Sequence, residues 1–202
     1  MAKIQKQLKK NQRFCVDFDL SLPKNYELLF NQILKLYQIS CSKQPALFYN
    51  SEFDKNLFHI FELYCQQNNQ KIDTTKYKLI DLDLSFAHKS QNRSLVPFSG
   101  GKDSIYMALK EKKPVLIHYP SINKSETYYE KKSVTKIASL IKSDFHMPKI
   151  TNSVKINRTN HNIGIRDMVF MVLSIPYILK YGVSKYVVGV QGKSLGPLWS
   201  EN

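Results

Sequence analysis

The chain has 202 residues, 43% of them hydrophobic and 12% aromatic, enough for one domain of ordinary size and a smaller region but not for two large ones. Charged residues make up 23%, which excludes a disordered chain, and no run reaches the roughly 18 to 20 apolar residues of a bilayer-spanning helix. Thirty Lys and Arg against 16 Asp and Glu give a formal net charge of +14. That excess suits a protein that meets polyanions such as nucleotides or nucleic acid, and equally one whose lysines are spread over a solvated surface.

Met1–Lys10 is rich in Lys and Gln and has no apolar core, so no secretory signal is predicted and a cytoplasmic protein is expected. Cys15, Cys41 and Cys65 are odd in number and widely spaced, which predicts reduced thiols. Phe14–Leu20 alternates as a strand does. Tyr26–Tyr37 carries apolar residues at helical spacing, entered through Pro23 and Asn25. Phe53–Tyr64 repeats that pattern, with Phe53, Leu57, Ile60, Phe61 and Tyr64 along one stripe. Tyr77–Leu84 alternates again. His59 and His88 are isolated and lack the spacing of metal ligands. Residues 1–93 therefore read as an accessory region, mixed α/β or mostly helical, with no catalytic constellation.

From Ser94 the pattern becomes strand, loop, helix, strand. Leu95–Phe98 predicts a short buried strand, and Ser104–Lys110 a helix with Ile105, Ala108 and Leu109 on one face. Pro114–Tyr119 predicts a second buried strand and Ser133–Ile141 an amphipathic helix. Lys149–Ile156 reads as a third strand, and Gly164–Tyr181 as a long apolar helix closed by Gly182. Ser184–Gly189 reads as a fourth strand. Such alternation predicts an α/β domain over residues 94–202, with parallel strands, helices on both faces and ligands beyond the carboxyl ends of the strands.

One loop in this region has a chemistry of its own, Ser99-Gly100-Gly101-Lys102-Asp103-Ser104. Gly100 and Gly101 can take positive φ and leave no side chain between the main chain and a ligand. Successive N–H groups can then converge on one anion, reinforced by the start of a helix near Lys102. Ser99 and Ser104 bring hydroxyl donors and Lys102 a positive charge. Asp103 would repel phosphate unless Mg²⁺ bridges the two, so a carboxylate here predicts a metal. The bland alternative is a Gly-Gly turn capped by Ser99.

Phe98-Ser99-Gly100-Gly101-Lys102-Asp103-Ser104 resembles the SGGxDS signature of the PP-loop ATP pyrophosphatases, a resemblance that covers residues 94–202. It implies a HUP-type α/β fold that cleaves ATP between its α and β phosphates. A substrate oxygen is adenylated, pyrophosphate leaves, and a nitrogen or sulfur nucleophile displaces AMP. It further implies that Ser99–Ser104 cradle phosphates, that Asp103 helps hold Mg²⁺, and that Gly189 lies where the chain passes close to the nucleotide. Gly164-Ile165-Arg166-Asp167-Met168 resembles the Arg-containing helix start of the 7-cyano-7-deazaguanine synthase branch. Arg166 is then a phosphate or substrate clamp, or else a surface arginine in a first helical turn. Gly192-Lys193-Ser194 looks like the end of a Walker A loop, but Val187 stands where that pattern needs Gly; Lys193 can still present its charge to phosphate.

The expectation is an ATP- and Mg²⁺-dependent adenylating enzyme acting on a nucleobase, a nucleoside or an RNA, as in tRNA modification, for amidation, nitrile formation or thiolation. No cysteine follows Cys65 and no glutaminase Cys–His pair is visible, so a partner protein is expected to complete the site or supply nitrogen or sulfur. Two alternatives stand beside it: a non-catalytic ATP-sensing subunit of a larger complex, and a sulfurtransferase using a partner's persulfide.

Overall fold

The computed structural model describes residues 2–9, 12–41, 48–67, 69, 71–119, 124–152 and 163–189. They fall into two compact units, each discontinuous in sequence. One gathers residues 1–22, 87–155 and 174–202; the other gathers 23–86 and 156–173.

The first unit is built on a parallel sheet of β5 (Arg93–Pro97), β6 (Val115–Ile117), β7 (Asp144–His146) and β9 (Val183–Tyr186), in the spatial order β7-β6-β5-β9. All three pairings are parallel. The protein is thus α/β with a four-stranded parallel sheet. Alternation along the strands sorts their side chains to two faces. On one face Val96, Leu116 and Phe145 pack with Ala108 of α3 (Lys102–Lys110) and with Val134 and Ala138 of α4 (Lys124–Ile141). Burying Val96 and Leu116 stabilises the fold by roughly 1.5–3 kcal/mol each. On the other face His146 meets Tyr177 and Tyr181, near the end of α5 (Ile163–Tyr181). Gly182 closes α5 at φ +61 as the sequence predicts, and an added Cβ would meet the Lys89 carbonyl at 2.6 Å.

A second sheet in this unit joins β1 (Ala2–Lys9), β2 (Gln12–Phe18) and β8 (Lys149–Asn152), all antiparallel. Two expectations change here. Lys149–Asn152 is a strand, but it pairs with β2 and is not the third strand of the parallel sheet; residues 153–156 lie outside the described residues. The third parallel strand is Asp144–His146, too short to register as a pattern. The Lys- and Gln-rich start of the chain is a strand as well, held by the ladder to β2 rather than by apolar content of its own.

The other unit holds α1 (Tyr26–Cys41), α2 (Lys55–Gln67) and a parallel pair, β3 (Glu52–Asp54) with β4 (Lys78–Ile80). Asp54 starts α2 by accepting from the amides of Asn56 and Leu57 at 3.0 and 3.1 Å, which satisfies two donors that the first turn leaves over. Phe53, Phe58, Phe61 and Tyr77 form its aromatic centre. The buried Gln32 amide ties α1 to β3, donating to the Glu52 carbonyl and accepting from the Asp54 amide. Only Lys78–Ile80 of the alternating run 77–84 is strand.

Candidate functional site

The parallel strands run β5, β6, β7 to one side of β5, while β9 lies on its other side. The strand order therefore reverses between β5 and β9, and sheets of this kind bind ligands beyond the carboxyl ends of the strands at such a reversal. The Ser-Gly-Gly loop leaves the sheet at this point. Phe98 is buried, and its amide extends the ladder to the Ile117 carbonyl at 2.7 Å before the chain departs at Ser99.

Gly100 sits at φ +75, where L side chains are strained. A Cβ there would also stand 2.9 Å from Val134 Cγ2. Gly101 differs, with φ −77 and ψ 161, the extended backbone of a helix N-cap. Positive φ is thus realised at Gly100 alone. Gly101 has no side chain to cap α3, so the amides of Lys102, Asp103 and Ser104 have neither an intrahelical partner nor a capping side chain. The helix resumes its normal ladder at Ile105, whose amide reaches the Gly101 carbonyl at 3.0 Å. Ser99, and not the helix, is what braces the turn: its Oγ accepts from the Gly101 amide at 3.3 Å and lies 3.2 Å from Ser104 Oγ. Ser104 is buried and donates to the Gly101 carbonyl at 2.9 Å, so its proton holds the loop in shape. Lys102 and Asp103 are exposed in the first turn of α3.

The chain beyond β9 comes back over this turn. A Cβ on Gly189 would lie 3.0 Å from Asp103 Cβ and 3.4 Å from the Asp103 carbonyl carbon and oxygen. Loop, helix start and Gly189 are therefore one place in the fold. Arg166 falls within α5, but its side chain and the whole of Lys193 lie outside the described residues. Comparison with protein-family models, with curated proteins and with solved structures gives no match. The chemistry of the site rests on its own residues.

One further residue shapes the loop and was not singled out from sequence. His118, directly after β6, is 1% exposed, and its Nδ1 lies 2.9 Å from the Phe98 carbonyl. A carbonyl only accepts, so Nδ1 carries the proton, and Nε2 is left buried without a hydrogen-bond partner. His118 thus pins the last residue before the loop. A histidine inside the apolar run Val115-Leu116-Ile117-His118 is the signal that could have found it.

A second constellation stands at the end of β7. His146 Nδ1 donates to Asp19 Oδ2 at 2.7 Å, while its Nε2 meets the Tyr181 hydroxyl at 2.7 Å. The Tyr177 hydroxyl donates to Asp19 Oδ1 at 3.0 Å. Burial raises the Asp19 pKa, but hydrogen bonds from His146 and Tyr177 and the charge of His146 outweigh it and hold the carboxyl below its usual value. Burial beside that carboxylate pushes the Tyr177 hydroxyl well up. Both ring nitrogens of His146 are engaged, so the cluster serves to hold β2 and α5 to the sheet. Among the described residues no three His, Cys, Asp or Glu gather as a metal site, and no helix is long and apolar enough to cross a membrane.

Proposed function

We propose that this chain binds ATP on the Ser99–Ser104 loop as a PP-loop ATP pyrophosphatase with a HUP-type fold, and activates a nucleobase, nucleoside or RNA by adenylation. One observation carries the reading: an uncapped helix start with a glycine at φ +75 before it stands where the parallel strand order reverses. The residues fit a polyphosphate. Three first-turn amides of α3 and the positive end of its dipole supply donors, and Gly100 and Gly101 keep side chains out of their way. Lys102 adds a mobile charge that neutralises the leaving pyrophosphate.

Asp103 fits Mg²⁺ as a single carboxylate whose other ligands are phosphate oxygens and water, the usual pattern for that ion. Bound there, Mg²⁺ would offset phosphate charge. In the reaction a substrate oxygen attacks the α phosphorus, the bond to the bridging oxygen breaks, and pyrophosphate leaves with the electron pair. The loop's part is to hold the β and γ phosphates still while that charge moves.

The test is incubation with Mg²⁺ and ATP labelled at the α phosphate, with and without bulk tRNA or ammonia. Labelled AMP or an adenylate is expected. Labelled ADP overturns the mechanism, and binding without turnover under every condition reduces the protein to an ATP-sensing subunit.

A further inference from the structure

The end of the parallel sheet opposite the loop carries a different chemistry. The turns into β5, β6, β7 and β9, with the last turn of α5 and the first residues of β5 and β9, bring Arg93, Lys112, Lys113, Lys142, Lys180 and Lys185 to one end of the sheet. The five lysines are exposed. The same turns hold two carboxylates. Asp144 is paired with Arg93 at 2.5 Å, and Glu111 accepts from the Ser94 hydroxyl. The carboxyl ends of α3, α4 and α5 also point to this end, each contributing about half a negative charge. Six cations against two carboxylates and three half-charges still leave a positive excess.

At the centre is an open depression of about 520 Å³ lined by Arg93, Lys113, Pro114, Lys142, Ser143 and Asp144. Arg93 is fixed in its floor, donating from Nε to the Lys113 carbonyl at 3.2 Å and lying over the Tyr181 ring at 5.1 Å. Lys113 and Lys142 flank it, at φ 51 and 56. Both hold the left-handed backbone that a turn after a helix normally gives to glycine, so lysine is kept there at a conformational cost.

We propose that this basic end binds the phosphate backbone of nucleic acid, with Lys113 and Lys142 on successive phosphates and Arg93 between them. The cations are spread and exposed, which suits a ligand of repeating charge better than a single small anion. A concave floor admits a ridge of phosphates and not a flat bilayer. The proposal uses none of the loop residues, so it stands or falls apart from the nucleotide reading.

The experiment is fluorescence anisotropy of the full chain with a fluorescein-labelled RNA stem-loop over a salt series. Lys113→Gly with Lys142→Gly relieves the backbone at both turns, so the urea midpoint should hold or rise. Binding should nevertheless weaken roughly five- to tenfold per lysine at about 0.1 M salt, with the salt slope shallower by about 2. Lys24→Ala with Lys71→Ala removes the same charge from exposed positions of the other unit and should change little. Equal losses in both double variants, no RNA binding by the parent, or binding to phosphatidylserine vesicles without binding to RNA would each overturn the proposal.

Discussion

Gly189 lies against Asp103 across 86 positions of sequence, so closely that the carbon of an added methyl group would be 3.0 Å from Asp103 Cβ and Asp103 would have to give way by a few tenths of an ångström. The contact matters because Asp103 belongs to the uncapped first turn of α3, and its Cβ moves only if the helix start moves. Gly189→Ala should therefore push the helix start aside by a few tenths of an ångström, lowering the melting temperature by only a few degrees because position 189 is exposed, and lower the affinity for ATP about tenfold. Titration with a fluorescent ATP analogue reads this directly. Equal affinity in variant and parent would separate Gly189 from the nucleotide site.

Gly100→Ala is expected to be costly for two separable reasons. The positive φ costs about 1–2 kcal/mol for a residue with a Cβ, and the contact with Val134 Cγ2 at 2.9 Å adds strain. Val134→Ala removes the obstructing methyl groups and by itself costs about 2 kcal/mol from a buried site. The double variant should be about 1 kcal/mol more stable than the sum of the two changes, as measured by urea unfolding. Strict additivity would place all the cost in the backbone.

Asp103→Asn tests the metal. The side chain is exposed, so stability should change by no more than about 1 kcal/mol, the scale of a charge at a helix start. The part of ATP binding that depends on Mg²⁺ should fall about tenfold or more, leaving the metal-independent part in place. Calorimetry with and without Mg²⁺ distinguishes the two; a parental response to the ion would remove Asp103 from the site.

The Asp19–His146 contact gives an acid dependence of known sign. A carboxyl held below its ordinary pKa in the folded state stabilises the fold above its unfolded value, near 3.8, and that contribution is lost as pH falls through the folded value. Asp19 is half-exposed to solvent, so screening limits the effect to about 1 kcal/mol or less. Asp19→Asn should be less stable than the parent at neutral pH, and the gap should close below about pH 4. A gap constant across that range would show that Asp19 contributes no charge-dependent stability.

Cys65 is buried, and that burial, with Glu62 nearby, pushes its thiol up to about 12. The thiolate is the reactive form, so Cys65 should resist iodoacetamide in the native protein and react only in denaturant. Peptide mapping should show the half-buried Cys15 alkylated well before it. Early modification of Cys65 would mean that α2 opens readily.

How far the sequence reaches into this fold depends on the range of each signal. Helical spacing in residues 26–37 and 53–64 is local: α1 follows it, while α2 follows it only from Lys55, with Phe53 in β3, and buries Phe58, Phe61 and Cys65 where the expected stripe included the exposed Ile60. The Ser-Gly-Gly turn is equally local: a buried strand, a glycine at φ +75 and a helix start lie within ten consecutive residues. Pairing is not local. Lys149–Asn152 alternates in a way that suits either sheet, and its partner is set by β2, more than 130 positions upstream, through a ladder that no pattern in the strand announces. Asp144–His146 is three residues long and becomes a strand only because β6 offers it an edge.

The same division runs through the candidate site. Ser99–Ser104 could be read as an anion loop from residue types alone, because glycine backbone freedom and main-chain donors are properties of the residues themselves. That His118 pins Phe98, that Asp19 meets His146, and that Gly189 closes over Asp103 depends on strand order, which brings distant segments to one end of a sheet. The six cations at the opposite end show this most plainly. Along the chain they are dispersed lysines and one arginine; parallel pairing aligns the starts of four strands, set roughly 5 Å apart from one to the next, and gathers their charges at one end of the sheet.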